Sequence, residues 1–470
     1  MTHYTGIETA LHSQPGARRL VGGWLLLALL ALAFSTGFAV LLVASRTPIS
    51  GGFVASVSLF RSALVLHVGL AVVVWFLSCA AALWSMAAGG VPGHTRWAAL
   101  ALAYAGVLGM LGALFSRSPV PVLANYIPVL DSPVFLLGLV SFLGGVALCG
   151  ATSIGGVLSH VKKNITAWRV AALLSIGVTA IALLALAIPV AQSGVPTHAM
   201  QFELWAWGPG HILQFAHVLL LMGVWNVLGE QALVRTVASR SFMAGQLLLA
   251  ALPVLAAPGV YIAYPIDSPE FRRAFTLLMA WGSWPAPVLL GGCLLVQIVR
   301  AGRGVRMALD NLPLVLSIFL FLMGCLCGAA IHGESTMVPA HYHGTVGAVT
   351  LAYMALGYRL LPAFGFAQGR GRLERWQPAI YGTGLIILVA SLAWSGWLGV
   401  PRKSLHGETG MQSLAYFSAM GLVGLGGLLA VSGAALFVFN IVRVLRTERV
   451  PTVQVAGDRS IYPANLPVRG

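Results

Sequence analysis

The sequence predicts an all-α integral membrane protein, a bundle of about twelve transmembrane helices with N- and C-termini in the cytoplasm. Two observations carry this expectation. The 470-residue chain is 58% hydrophobic and only 8% charged, with a mean hydropathy of +0.89; such a chain is suited to lipid rather than water. Apolar stretches of about 20 residues, long enough to cross a hydrocarbon core, recur twelve times along it.

The stretches lie near 19–44, 62–86, 97–116, 134–159, 167–192, 207–229, 241–264, 274–299, 312–331, 338–363, 377–399 and 415–442. The first is too long for a signal-peptide core and lacks a convincing cleavage site, so it is expected to be a span. Only short polar tails, 1–18 and 446–470, flank the twelve. With no Gly- or Ser-rich linker, heptad run or internal repeat, residues 1–470 read as a single transmembrane domain.

Basic residues set the expected orientation. With a cytoplasmic N-terminus, 20 of the 27 lysines and arginines fall on the cytoplasmic side. The opposite face receives Arg46, Arg61, Arg117, Arg272, Arg273, Arg402 and Lys403. This asymmetry is the positive-inside signal of a multi-pass protein of the cell's inner (cytoplasmic) membrane. The formal charge of +15 therefore reports topology. Nucleic-acid binding is excluded, because it needs such charge gathered on one soluble face.

The five cysteines, Cys79, Cys149, Cys293, Cys325 and Cys327, all fall within spans and read as packing residues. No CxxCH motif is present, so no c-type haem is attached to this chain.

Histidine is more informative. Six of the twelve, His3, His12, His94, His160, His198 and His406, belong to loops or tails. The others are His67 in span two, His211 and His217 in span six, His332 after span nine, and His341 and His343 at the start of span ten. Imidazoles within a span are costly and usually functional, and imidazoles gathered between helices are how bundles hold metals and haem. Positions two apart on a helix differ by about 200°. His341 and His343 therefore point to opposite sides of span ten and can each hold a different flat cofactor. His217, six residues from His211, points away from it by the same geometry.

The stretch IHGESTMVPAHYHGTVGAVTLAYMALGYRLLP resembles the ninth-to-tenth helix region of the catalytic subunit of haem–copper oxidases and nitric oxide reductases. The resemblance implies two haems of b or related type, a high-spin one on His341 and a low-spin one on His343. RSALVLHVGLAVVVWFL resembles the family's second helix and implies His67 as the other low-spin ligand. WAWGPGHILQF resembles the sixth-helix motif, whose histidine, here His211, binds a non-haem copper or iron. LGVPRKS resembles the family's Gly-x-x-Pro-Arg-Arg turn, implying that Arg402 and Lys403 meet haem propionates. His332 resembles a family histidine near the propionates, at a spacing one residue longer.

The sequence departs from the family at span seven. Where two adjacent histidines should complete the non-haem metal site, the chain has Ala257, Pro258 and Gly259. One imidazole rarely holds such an ion alone. Gln214, on the same face as His211, or else Glu334 or Tyr261 could assist it, but the ordinary three-histidine site is not expected, and absence of the ion altogether is the alternative. All twelve acidic residues lie near span ends or outside spans, so proton pumping is not expected either.

The resemblance implies a dihaem oxidoreductase that reduces dioxygen, nitric oxide or a related gas in a pocket where His211 and Gln214 act. The alternatives are a non-catalytic haem protein, either electron carrier or gas sensor, and a transporter using histidines as a proton relay. No cupredoxin-like or c-haem motif is present, so electrons would come from a partner subunit carrying c-type haem or copper, or from a quinol.

Overall fold

The computed structural model describes Ile7, Leu11 and residues 15–47, 56–116, 120–193, 199–306, 309–366, 371–404 and 413–447. Most of the two polar tails lie outside these residues, including His3, His12, Arg449, Arg459 and Arg469. Arg117, His198, Arg370 and His406 lie outside them too.

Among the described residues, twelve helices are long and apolar enough to cross a membrane. They are α1 (Gly16–Arg46), α2 (Val57–Ala88), α3 (His94–Phe115), α4 (Pro133–Lys163), α5 (Ala167–Ala191), α6 (Met200–Leu233), α7 (Arg240–Ala263), α8 (Pro269–Arg300), α9 (Leu312–Ala329), α10 (Met337–Phe364), α11 (Arg372–Trp397) and α12 (Leu414–Leu445). Each overlaps one stretch predicted from hydropathy. The chain is a multi-pass membrane protein.

Consecutive helices pair as α3–α4, α5–α6, α9–α10 and α11–α12, while α12 returns to α1. Small residues allow the closest approaches, as expected where helices have no hydrophobic drive to associate in lipid. A Cβ on Gly344 of α10 would lie 2.6 Å from the Cα of Gly324 on α9.

Three helices form the interior. In their most apolar windows, 72% of α2, 89% of α6 and 72% of α10 is buried, against at most 50% in any of the other nine. These inner helices carry His67, His211, His217, His341 and His343.

Local irregularities lie close to these histidines. A π-helical segment, Gly69–Val74, begins two residues after His67, and such segments are frequent at functional sites. Pro209 sits inside α6, two residues before His211. The predicted span eight is interrupted at Ser283 and Trp284, where Pro285 opens a new helical segment; proline lacks the N–H that would continue the ladder. Between α3 and α4, strands β1 (Val120–Val122) and β2 (Val129–Asp131) pair antiparallel, with Val120 opposite Asp131. Their connecting loop carries Asn125 and Tyr126.

Candidate functional site

One cavity of about 1390 Å³ runs between the inner helices, larger than the roughly 300–1,000 Å³ of an ordinary single-ligand pocket. Its wall includes His67, His211, Gln214, His217, His341 and His343. Arg402 and Lys403 join that wall, and Arg46, Asn125, Tyr126 and Glu334 line it as well. His332 is exposed and does not belong to it.

Three of these imidazoles are held in the same way. His343 donates Nδ1–H to the Pro339 carbonyl at 2.7 Å, and His341 donates Nδ1–H to the Gly324 carbonyl on α9 at 2.7 Å. His67 donates Nδ1–H to the Ser35 carbonyl at 3.0 Å, with Ser35 Oγ 2.9 Å away. A carbonyl on Nδ1 fixes the ring and leaves the Nε2 lone pair as the ligating position. Three Nε2 donors around one large apolar cavity fit haem iron.

His211 differs. It donates Nδ1–H to the Trp207 carbonyl at 2.7 Å, and its Nε2 lies 2.9 Å from the hydroxyl of Tyr126. Burial, followed by the nearby Glu203 carboxylate, pushes the Tyr126 hydroxyl above its ordinary range. With Nδ1–H committed to a carbonyl, Nε2 is the accepting nitrogen, so the Tyr126 hydroxyl donates to it and leaves no lone pair on His211 for an ion.

Of the other candidate ligands, Tyr261 donates to the Ala185 carbonyl at 3.5 Å and Glu334 pairs with Arg402, while Gln214 lines the cavity as a neutral amide, a weak ligand for copper or iron. Among the described residues no three His, Cys, Asp or Glu side chains gather to hold a metal. This donor set does not fit a non-haem copper or iron.

His217 packs elsewhere on α6, with its ring 4.9 Å from that of Phe76. It nevertheless lines the same cavity, and neither of its nitrogens has a hydrogen-bond partner.

At the predicted extracytoplasmic rim, the segments before α10 and after α11 are stitched together. Thr336 N–H donates to Val400 O at 2.9 Å, Arg402 N–H donates to Glu334 O at 3.0 Å, and Ser335 bridges Pro401. Lys403 Nζ donates to the Leu123 carbonyl and, at 2.9 Å, to Asn125 Oδ1. Burial and the neighbouring Arg402 lower the Lys403 ammonium from its ordinary range, against the opposing pull of Glu203 and Glu334. Glu203, at the start of α6, accepts from Asn125 N–H at 2.7 Å and from its side-chain amide. Sequence reading missed Asn125, Tyr126 and Glu203, which are loop or helix-end residues that no period or spacing singles out.

A twelve-helix bundle with imidazoles turned into one central cavity defines a membrane protein organised around that interior. The family model described as Cytochrome C and Quinol oxidase polypeptide I matches residues 19–429. The chain belongs to that family, the haem–copper oxidase subunit I proteins. An uncharacterized protein of Rickettsia prowazekii (strain Madrid E) is 25% identical, the match covering 89% of this chain and 94% of that protein. An uncharacterized protein of Aquifex aeolicus (strain VF5) is 28% identical over 82% of this chain and 93% of its own length. A cryo-EM structure of a heme-copper terminal oxidase dimer shares the fold with a TM-score of 0.74 at 15% identity, covering 95% of this chain and 85% of that one.

Proposed function

We propose that this chain, acting as one transmembrane domain of the inner membrane, is the haem-bearing subunit of an oxidoreductase that reduces dioxygen or nitric oxide without pumping protons. The observation that carries the reading is the common arrangement of His67, His341 and His343, each with Nδ1 on a carbonyl and Nε2 left for iron. His67 and His343 would hold a low-spin haem and His341 a high-spin one. Haems bound there supply electron transfer to the high-spin site and reduction of the gas.

The remaining residues set the surroundings. Arg402, Lys403 and Arg46 place positive charge on the cavity wall, suited to propionates and facing the extracytoplasmic side in the predicted orientation. His332, exposed and off that wall, adds no support for a propionate role. The cavity is largely apolar and extends to Trp281, 71% exposed beside the break in α8, and to Leu326, 72% exposed on α9. Such a wall suits an uncharged substrate dissolved in lipid. Within the described helices, Glu203, Glu230, Glu270 and Glu374 all sit within a turn or so of a helix end, which supports a reading without pumping. Electrons would come from a partner subunit with c-type haem or copper, or from a quinol.

A second reading, a non-catalytic electron carrier or gas sensor, is favoured by the commitment of both His211 nitrogens. Purified protein is expected to carry two haems per chain, one of which binds carbon monoxide in the reduced state. Absence of haem sinks both readings; turnover with dioxygen or nitric oxide separates enzyme from carrier.

A further inference from the structure

We propose that a tyrosine takes the place of the non-haem metal in this chain. Tyr126, carried over α6 by the β1–β2 hairpin, occupies the available nitrogen of His211, and the pair forms the polar group that meets a small uncharged ligand in the cavity shared with His341. The proposal rests on the haem reading above.

Geometry gives three supports. The Tyr126 hydroxyl donates to His211 Nε2 at 2.9 Å while His211 Nδ1–H is spent on Trp207 O at 2.7 Å. The two rings pack with centroids 4.6 Å apart, and Trp207 meets the Tyr126 ring edge-on at 5.6 Å. Finally, Gly210 lies directly beneath: a Cβ there would collide with the Tyr126 ring, so glycine is what lets the hairpin settle this close to α6.

A polar clasp sets the height of the loop. Lys403 holds Leu123 O and Asn125 Oδ1, and Glu203 holds Asn125 through backbone and side-chain N–H groups. Lys403 itself adopts φ of 62°, a conformation that non-glycine residues keep only where surrounding contacts enforce it. The basic turn thus acts as a positioning element for the residue next to Asn125. It links the rim of the cavity to the ring on His211.

The test uses purified full-length holoprotein with carbon monoxide as the probe. Tyr126→Phe is expected to shift the C–O stretching band of the reduced, CO-bound protein and to change CO affinity by about two- to tenfold, the scale of one hydrogen bond. Lys403→Met is expected to split that band into two populations, and Lys403→Arg to restore a single one. An unchanged band and affinity in Tyr126→Phe would overturn the proposal. So would a stoichiometric cuprous or ferrous ion, retained by wild type after exposure to that ion and lost in His211→Ala; this measurement needs no Tyr126 variant and leaves the haem reading standing. Wild-type protein without haem overturns both.

Discussion

His343→Ala is expected to remove the low-spin haem signal and leave carbon monoxide binding in place, whereas His341→Ala removes the CO-reactive centre and leaves the low-spin signal. The two residues are one apart from adjacency on α10, yet their Nδ1 atoms are held from different directions. His343 is tied to Pro339 within its own helix, and His341 to Gly324 across on α9. About 200° of rotation separates them, so each loss is local to one side of the helix. Truncating a ligand removes the iron–nitrogen bond outright, a larger loss than the 10- to 100-fold in metal affinity typical of losing an outer partner. His67→Ala should reproduce the His343→Ala spectrum. Haem per chain and reduced-plus-CO spectra provide the check, and a variant of His341 or His343 that keeps both haem signals would refute the assignment to opposite sides.

The legible part of this protein is whatever depends on period and hydropathy. The twelve spans follow from the length of apolar runs, because a helix is the economical way to satisfy backbone polar groups in lipid. His67, His341 and His343 were visible because imidazoles stand out in an apolar run and their spacing fixes a direction. The break in α8 was foreshadowed by Pro285 and Pro287 but masked by continuous hydropathy through 274–299. Tyr126 was illegible because it sits in a six-residue loop, Leu123–Pro128, whose position is set by the distant residues Lys403 and Glu203 rather than by its own neighbours. The absence of the span-seven histidines pointed to an incomplete metal site; it could not reveal which side chain stands on His211.

His341, the high-spin ligand in the function proposed above, also depends on glycines whose role is visible only in three dimensions. Gly324 and Gly328 are one turn apart on α9, and both lie against His341. A Cβ on Gly324 would come within 2.6 Å of Thr345 N and 2.9 Å of His341 O, and one on Gly328 within 2.6 Å of His341 Nδ1. Most of these contacts are backbone, which cannot swing aside. Gly324→Val must therefore push α9 and α10 apart, at about 1–3 kcal/mol for overpacking, and in doing so carries away the carbonyl that orients His341. The expected result is a lowered melting temperature together with loss of the CO-reactive haem by about 10- to 100-fold in affinity, while the low-spin signal persists because His343 is anchored within α10. Gly421→Ala on α12, where a Cβ meets nothing within 4 Å, should leave both readouts at wild-type values. If Gly324→Val lowered the melting temperature yet kept full CO-reactive haem, α9 would be a packing partner of α10 without being the element that aims His341.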